Sequence, residues 1–383
     1  MVHEIRPFTI DVAHSDLDDL RARIRATRWP DRETVDGWAQ GVPLAVMREL
    51  ARYWADEYDW RRVESRLNAH PQFTTRIDGV DVHFLHVRSP HPEATPLLLT
   101  HGWPGSVIEF LRVIEPLTDP ERHGGRPEDA FHLVLPSVPG YGFSSRPREA
   151  GWGIERIARA WAELMARLGY RRYGAGGGDW GTSISTMVGV HDPQNVIGLY
   201  LTPPLVGADP ATLDDLTEAE QASLDALAAV GETGSGYAAM HSTRPQTLGY
   251  ALLDSPVGQA AWIFEKFAAW VDGDPLEVLG IDAVLDDITL YWLTGTGASS
   301  TRLYWESYAT VDGWFTAGTT DTIDVPVAAS VFRDIPRPSR RWAERRFTDI
   351  RYWNEPERGG HFAAFEQPEL FVQEVRAAFR ALR

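Results

Sequence analysis

The sequence of 383 residues contains no cysteine. Disulfide bonds, thiolate metal sites and a cysteine nucleophile are therefore excluded, since each of them requires a thiol. A chain without thiols needs neither an oxidising nor a reducing environment, so this absence alone leaves the cellular compartment open.

Basic residues are outnumbered by acidic ones. The sequence has 37 lysines and arginines against 54 aspartates and glutamates, which gives a formal net charge of -17 at pH 7. Nucleic acids and anionic membranes bind surfaces with clustered Lys and Arg, so we expect neither as a partner. Lys266 is the only lysine. We attribute this to coding bias and assign no chemistry to Lys266 from the sequence.

Long apolar runs are also missing. No segment approaches the roughly 18 apolar residues of a membrane span, and the first residues lack the apolar core of a signal peptide. We therefore expect a cytoplasmic location and no membrane partner. The hydrophobic content of 43% is sufficient for a large core, in one elaborated α/β domain or in two smaller units. A homodimer stays open, because the sequence alone maps no surface.

Short apolar runs alternate with helical patterns from about residue 73 onwards. Segments 73–77 and 80–87, joined by Asp78-Gly79, predict a β-hairpin. Further strands are predicted at 96–100, 131–135, near 173, at 196–201, at 325–332 and near 350–353, and helices at 154–168 and 368–382. This alternation predicts a mostly parallel central sheet with helices on both faces and a ligand site at the carboxyl ends of the strands.

The first seventy residues have a helical pattern instead. Ser15 and Asp18 resemble a capping box before apolar residues at helical spacing, and a second helix is predicted from about residue 43 to 58. A later stretch, 209–320, is again helical in pattern and rich in Trp and Tyr, which indicates an insertion into the α/β unit.

The most informative motif is Gly-Gly-Gly-Asp-Trp-Gly at residues 176–181. Gly177 and Gly181 stand two positions either side of Asp179, as in the sharp strand-to-helix turn that presents a nucleophile. A carboxylate that attacks an sp3 carbon forms an alkyl ester, so Asp179 indicates opening of an epoxide or displacement of a halide. Acyl transfer of the serine type is disfavoured, because no Gly-x-Ser-x-Gly is present.

An alkyl ester on Asp179 must be hydrolysed by water, which requires a general base and an acid that orients it. His361 lies in a glycine-containing loop after the last predicted strand and is the best candidate for the base, with a surface-loop histidine as the alternative. We prefer Asp334 as the acid, because it follows a predicted strand. Asp209, Glu355 and Glu357 also lie between nucleophile and histidine and stay open.

Backbone amides at two turns predict an oxyanion hole. Trp103, in the loop after strand 96–100, and Trp180, directly after Asp179, could each donate an N–H to the oxyanion that forms when water attacks the ester. The alternative for the first loop is an ordinary strand-to-helix turn, to which its Gly and Pro residues are equally suited.

No metal or cofactor is expected. His83 and His86 are three residues apart on a strand and should point to opposite faces, and no His-Glu-x-x-His is present. Residues 176–181 also match the dinucleotide fingerprint Gly-x-Gly-x-x-Gly. That match is weak, because the turn follows several other strands and Asp179 would repel a pyrophosphate.

These residues together resemble the microsomal-type epoxide hydrolases of the α/β-hydrolase fold, over nearly the whole chain. The resemblance rests on residues 6–8, 28–30, 101–106, 139–144, 178–181, 254–258, 291–292 and 358–364. It implies a helical cap inserted into the hydrolase core, an N-terminal segment that wraps around the core, and a cis peptide at Trp103-Pro104. We accordingly divide the chain into a wrapping segment at 1–75, a core at 76–206 and 321–383, and a cap at 207–320.

The resemblance also implies two residues that periodicity does not single out. The cap tyrosines that hydrogen-bond to the epoxide oxygen in this family correspond to Tyr237 and Tyr304, each of which would otherwise be interpreted as a packed aromatic. The implied function is conversion of an apolar epoxide and water to a vicinal diol. An aspartate-dependent dehalogenase, or a noncatalytic binding protein on the same scaffold, is the alternative.

Overall fold

A single nine-stranded sheet organises the computed structural model, which describes residues 4–316 and 321–383. The strands are β1 (Ile5–Phe8), β2 (Gln72–Ile77), β3 (Val80–Val87), β4 (Thr95–Thr100), β5 (Phe131–Pro136), β6 (Tyr173–Gly178), β7 (Val196–Thr202), β8 (Val327–Ser330) and β9 (Ile350–Asn354). Their order in the sheet is β1-β2-β3-β5-β4-β6-β7-β8-β9. The first three neighbouring pairs in this order, from β1/β2 to β3/β5, are antiparallel, and the remaining five, from β5/β4 to β8/β9, are parallel.

Sixteen α-helices are assigned in the described part of the chain. They are α1 (His14–Arg25), α2 (Leu44–Asp56), α3 (Trp60–Asn68), α4 (Ile114–Thr118), α5 (Ile154–Arg167), α6 (Trp180–His191), α7 (Glu218–Ala229), α8 (Gly236–Thr243), α9 (Pro245–Asp254), α10 (Pro256–Trp270), α11 (Pro275–Val278), α12 (Ile281–Thr294), α13 (Gly297–Thr316), α14 (Arg340–Ala343), α15 (Ala363–Glu366) and α16 (Pro368–Leu382). None of the helices in the described ranges is long and apolar enough to cross a membrane.

Helices cover both faces of the sheet, as predicted. A Cβ added to Gly174 in β6 would meet the ring of Phe379 in α16, whereas one added to Gly177 would meet the backbone of Gly181 in α6. Residues three apart on a strand point to opposite faces, so α16 and α6 lie on opposite sides of β6. Strands β4 to β7 are almost entirely buried between these layers.

The predicted hairpin and the predicted parallel strands are confirmed to within a few residues of their ends. The N-terminal region differs from the prediction in two elements. Strand β1 pairs antiparallel with β2, and α3 lies between α2 and β2; neither was predicted. The predicted capping box is wrong, because α1 begins at His14 after Ala13 and has no side-chain cap. Short elements such as β1 and α3 depend on tertiary packing more than on a local pattern.

Seven helices, α7 to α13, are assigned in the described residues between β7 and β8. We propose that they form the cap predicted at 207–320. Residues 317–320 of this cap and residues 1–3 of the predicted wrapping segment lie outside the described ranges. The sheet itself crosses the proposed boundary at residue 75, since β2 spans Gln72–Ile77. The peptide between Trp103 and Pro104 is cis, as the resemblance implied.

Candidate active site

The turn between β6 and α6 holds Asp179 in a left-handed backbone conformation, with φ of 52° and ψ of -130°. Such a conformation costs about 1–3 kcal/mol for a residue other than glycine. The turn passes so close to the end of β4 that a Cβ would lie 2.2 Å from the Thr100 carbonyl oxygen at Gly177 and 1.9 Å from it at Gly181. Only glycine fits at these two positions, which explains their spacing around the aspartate.

The carboxylate of Asp179 has a different neighbour at each oxygen. Its Oδ1 accepts a hydrogen bond from the backbone N–H of Trp103 at 2.8 Å. Its Oδ2 lies 3.5 Å from Nε2 of His361. Both neighbours come from loops that follow parallel strands, β4 and β9, so the site lies at the carboxyl ends of the strands, where the alternation predicted it.

His361 is held between two carboxylates. Its Nδ1 lies 2.8 Å from Oδ2 of Asp334, and its backbone N–H donates to the carbonyl of Trp270. The other oxygen of Asp334 accepts the N–H of Ile335 at 2.7 Å. Burial by itself would lower the pKa of His361, but Asp334 and Asp179 outweigh burial and raise that pKa well above its usual value near 6.5.

The other acidic candidates do not contact His361 in the structure. Asp209 forms an ion pair with Arg345 at 3.2 Å and accepts the N–H of Ala211. Glu355 accepts the indole N–H of Trp353, and Glu357 is exposed. The structure therefore brings Asp334, and none of these three, to the histidine.

Tyr237 in α8 and Tyr304 in α13 lie over the same region, with ring centroids 5.8 Å apart. The indole of Trp103 contacts both rings: it stacks on Tyr237 at 5.3 Å and meets Tyr304 edge-on at 5.9 Å. Burial, followed by the charge of Asp179, raises the pKa of Tyr237. Burial, followed by the proximity of Tyr237, raises the pKa of Tyr304 well above its usual value. Both hydroxyls therefore stay protonated at neutral pH and can donate hydrogen bonds.

Trp180 is the first residue of α6, so its amide stands at the N-terminus of that helix beside Asp179. Its indole contacts Tyr304 edge-on at 4.8 Å. The amide of Trp103 is already bonded to Asp179, as described above. The two amides proposed for the oxyanion hole thus flank Asp179, one from the β4 loop and one from α6.

Two residues of α12 that sequence reasoning missed hold the loop of Trp103. Asp287 accepts a hydrogen bond from the Ser106 hydroxyl at 2.6 Å, and the Tyr291 hydroxyl donates to the Gly105 carbonyl at 2.8 Å. Burial raises the pKa of Asp287 to about 8. One signal was present in the sequence: residue 291 lies in a stretch that carries the family resemblance, although nothing linked it to the loop.

The histidines weighed as metal ligands have other partners. His83 is buried between Ser137 and Gln72, with both contacts at 2.9 Å, whereas His86 contacts Tyr170. They therefore point to opposite faces of β3, as predicted. Among residues 4–316 and 321–383, no group of three or more His, Asp or Glu side chains is arranged to hold a metal ion.

Two protein families match the chain. The family described as epoxide hydrolase N terminus matches residues 5–110, and the family described as alpha/beta hydrolase fold matches residues 95–258. The two matches overlap at β4 and the loop of Trp103, and the second includes Asp179 and Tyr237. They cover the N-terminal region, the first part of the core and the first helices of the insertion.

Relatives that match nearly the whole of this chain are also named epoxide hydrolases. A protein of Stigmatella aurantiaca (strain DW4/3-1), provisionally named an epoxide hydrolase, is 54% identical over 99% of this chain and 86% of its own length. Epoxide hydrolase 1 of Sus scrofa is 35% identical over 97% of this chain and 88% of its own length.

Solved structures of epoxide hydrolases also superpose on this chain. The structure of Aspergillus niger epoxide hydrolase superposes with a TM-score of 0.89 at 31% identity and covers 100% of this chain and 97% of that chain. The structure of juvenile hormone epoxide hydrolase from Bombyx mori gives a TM-score of 0.90 at 30% identity. The predicted α/β-hydrolase fold is confirmed, and the chain belongs to the microsomal-type epoxide hydrolase family.

Proposed function

We propose that Asp179 is the nucleophile of this epoxide hydrolase, with Tyr237 and Tyr304 as proton donors and His361 with Asp334 as the base and its orienting acid. One observation carries the proposal. The Asp179 carboxylate has one oxygen on the Trp103 amide and the other next to His361, and its charge acts on both Tyr237 and Tyr304. A carboxylate held in this way is oriented for attack and has the groups for both chemical steps around it.

In the first step, Oδ2 of Asp179 attacks the less hindered carbon of the epoxide, and the bond between that carbon and the ring oxygen breaks. The ring oxygen receives a proton from Tyr237 or Tyr304, which leaves a phenolate. The negative charge thereby moves from the carboxylate to the phenolate, and the product is held as a neutral alkyl ester. Two phenol donors suit this step, because their high pKa values keep them protonated until the ring opens.

In the second step, His361 removes a proton from water, and the resulting hydroxide attacks the ester carbonyl carbon of Asp179. The bond between this carbon and the ester oxygen then breaks, and the remaining proton of the former water passes to the leaving alkoxide, which releases the vicinal diol and restores the carboxylate. The proton that His361 carries in the resting enzyme passes to the phenolate after ring opening and is replaced by the proton taken from water, so the overall reaction consumes one epoxide and one water. Amides of Trp103 and Trp180 stabilise the oxyanion, each by about 3 kcal/mol.

The substrate that fits this site is a small apolar epoxide. Indole and phenol rings surround the reacting carboxylate, notably those of Trp103, Trp180 and Trp270. Such rings contribute apolar contact area and leave few hydrogen-bonding groups for a polar substrate. Diol formation from a panel of styrene-like, aliphatic and terpene epoxides tests this proposal, and turnover confined to strongly polar epoxides would contradict it.

A haloalkane assay with the same purified enzyme tests the alternative function, that of an aspartate-dependent dehalogenase. A dehalogenase could use Asp179, Asp334 and His361 in the same way, but it needs N–H donors for the leaving halide in place of phenols. The paired hydroxyls of Tyr237 and Tyr304 favour an oxygen leaving group that must gain a proton. We therefore expect diol from epoxides without matching chloride release from chloroalkanes.

A further inference from the structure

Lys266, the only lysine of the chain, is buried in the cap on α10, with 3% of its side chain exposed. A buried ammonium loses its hydration and requires compensation from nearby groups. The structure gives it one ion pair, with Glu265 at 3.0 Å, whose own side chain is 37% exposed. The ammonium also lies over two aromatic rings, those of Tyr237 and Trp270.

The ammonium lies over the ring of Tyr237. Its Nζ is 4.4 Å from the centroid of that ring and 5.7 Å from the centroid of the Trp270 ring. Both distances are within the range of a cation–π interaction, which is stronger when the ammonium is desolvated, as it is here. Lys266 therefore contacts the ring face of a proposed proton donor, without contacting the carboxylate of Asp179.

We propose that Lys266 is a positioning residue for ring opening, which acts through Tyr237 by stabilising the negative charge that this phenol acquires when it protonates the epoxide oxygen. This inference rests on the proposed role of Tyr237. A neutral phenol attracts a cation through its quadrupole only, whereas a phenolate delocalises a full negative charge into the ring. The attraction therefore grows as the proton leaves, so it favours the transition state over the ground state.

The same geometry predicts which step is affected. In ring opening, the bond from Asp179 to the epoxide carbon forms, the carbon–oxygen bond of the ring breaks, and the proton of Tyr237 passes to the ring oxygen. Hydrolysis of the ester runs through His361 and water instead. A cation that acts through Tyr237 should change the rate of ester formation and leave the rate of ester hydrolysis nearly unchanged.

The test uses the full-length enzyme in excess over a styrene-like epoxide, with rapid quenching and intact mass measurement of the ester. Lys266→Met should slow ester formation about tenfold, because it removes the attraction that strengthens as the phenol loses its proton, and ester decay should keep its rate. Lys266→Gln is a second neutral variant of similar length. Glu265→Gln is the matched control: it removes the ion pair but keeps the ammonium, and ester formation should stay fast.

A double-mutant cycle with Tyr237→Phe isolates the coupling between the two residues. Tyr237→Phe alone should slow ester formation, and Lys266→Met should cause little further loss in that background. Equal slowing by Lys266→Met in both backgrounds, equal slowing of formation and decay, or unchanged ester formation in both neutral variants would overturn the inference. Unchanged ester formation in Tyr237→Phe would instead contradict the proposed role of Tyr237.

Discussion

The backbone N–H of Trp103 donates a hydrogen bond of 2.8 Å to Oδ1 of Asp179. In the resting enzyme this amide therefore contacts Oδ1. If Oδ2 attacks the epoxide, Oδ1 becomes the carbonyl oxygen of the ester. When water adds to that carbonyl, negative charge develops on Oδ1, and the donor is already in place. In the proposed mechanism this one hydrogen bond orients Asp179 in the first step and is available to the oxyanion in the second.

A single turnover in heavy-oxygen water tests the role of Asp179. With enzyme in excess, the first diol should contain only ordinary oxygen, because its new oxygen comes from the carboxylate. The peptide that contains Asp179 should gain one heavy oxygen, since water restores the carboxylate by attack at its carbon. Mass spectrometry of the diol and of the digested enzyme measures both. Heavy oxygen in the first diol would point to direct attack by water.

Replacing His361 should separate the two steps. His361→Gln removes the base but leaves Asp179 and the tyrosines in place, so ester should form and then persist. General base catalysis contributes about 100-fold to 10,000-fold, and ester hydrolysis should slow by a factor in that range. Intact mass after mixing with a reactive epoxide measures the adduct. His191→Gln, at an exposed position in α6, is the matched control and should accumulate no more adduct than the wild type; a His361→Gln enzyme without adduct would contradict the two-step scheme.

The charge of Asp179 should control the protonation of His361. Asp334 and Asp179 together raise the pKa of His361 well above its usual value, against the lowering effect of burial. Removing one of the two charges in Asp179→Asn should lower that pKa, which histidine-selective NMR titration can measure. Ester formation neutralises Asp179 in the same way and would convert His361 from a proton carrier into a base. An unchanged or higher pKa in the variant would refute this coupling.

Asp287 should make stability depend on pH. Burial raises its pKa to about 8 in the folded state from 3.8, so between these values the folded state binds more protons than the unfolded state. The contribution of Asp287 to the free energy of unfolding is therefore largest below about pH 4. It decreases as the pH rises toward 8. Asp287→Asn keeps the shape and removes the titration. Urea unfolding at pH 5 and pH 8 should show a smaller decrease in the variant than in the wild type, and parallel decreases would contradict the assignment.

Local patterns predicted the elements around the site well. The spacing of Gly177 and Gly181 indicated the turn at Asp179 because close backbone contact at Thr100 excludes any Cβ there. Strand β1 and helix α3 were missed, because four and nine residues carry too little periodicity to be recognised. The pairing of β1 with β2 joins residues about seventy positions apart, which no local pattern encodes.

The sequence by itself determined the chemistry of the site: an aspartate at a nucleophile turn, a histidine after the last strand, and no thiol or metal motif. The tertiary structure decided which residues meet. It brought Asp334 rather than Asp209 to His361, held the Trp103 loop with Asp287, and placed Lys266 over Tyr237. Short-range patterns identify turns and strands, but contacts between the cap and the core depend on packing across distant segments. Lys266, which the sequence analysis attributed to coding bias, is buried in the fold beside the ring of Tyr237, a proposed proton donor.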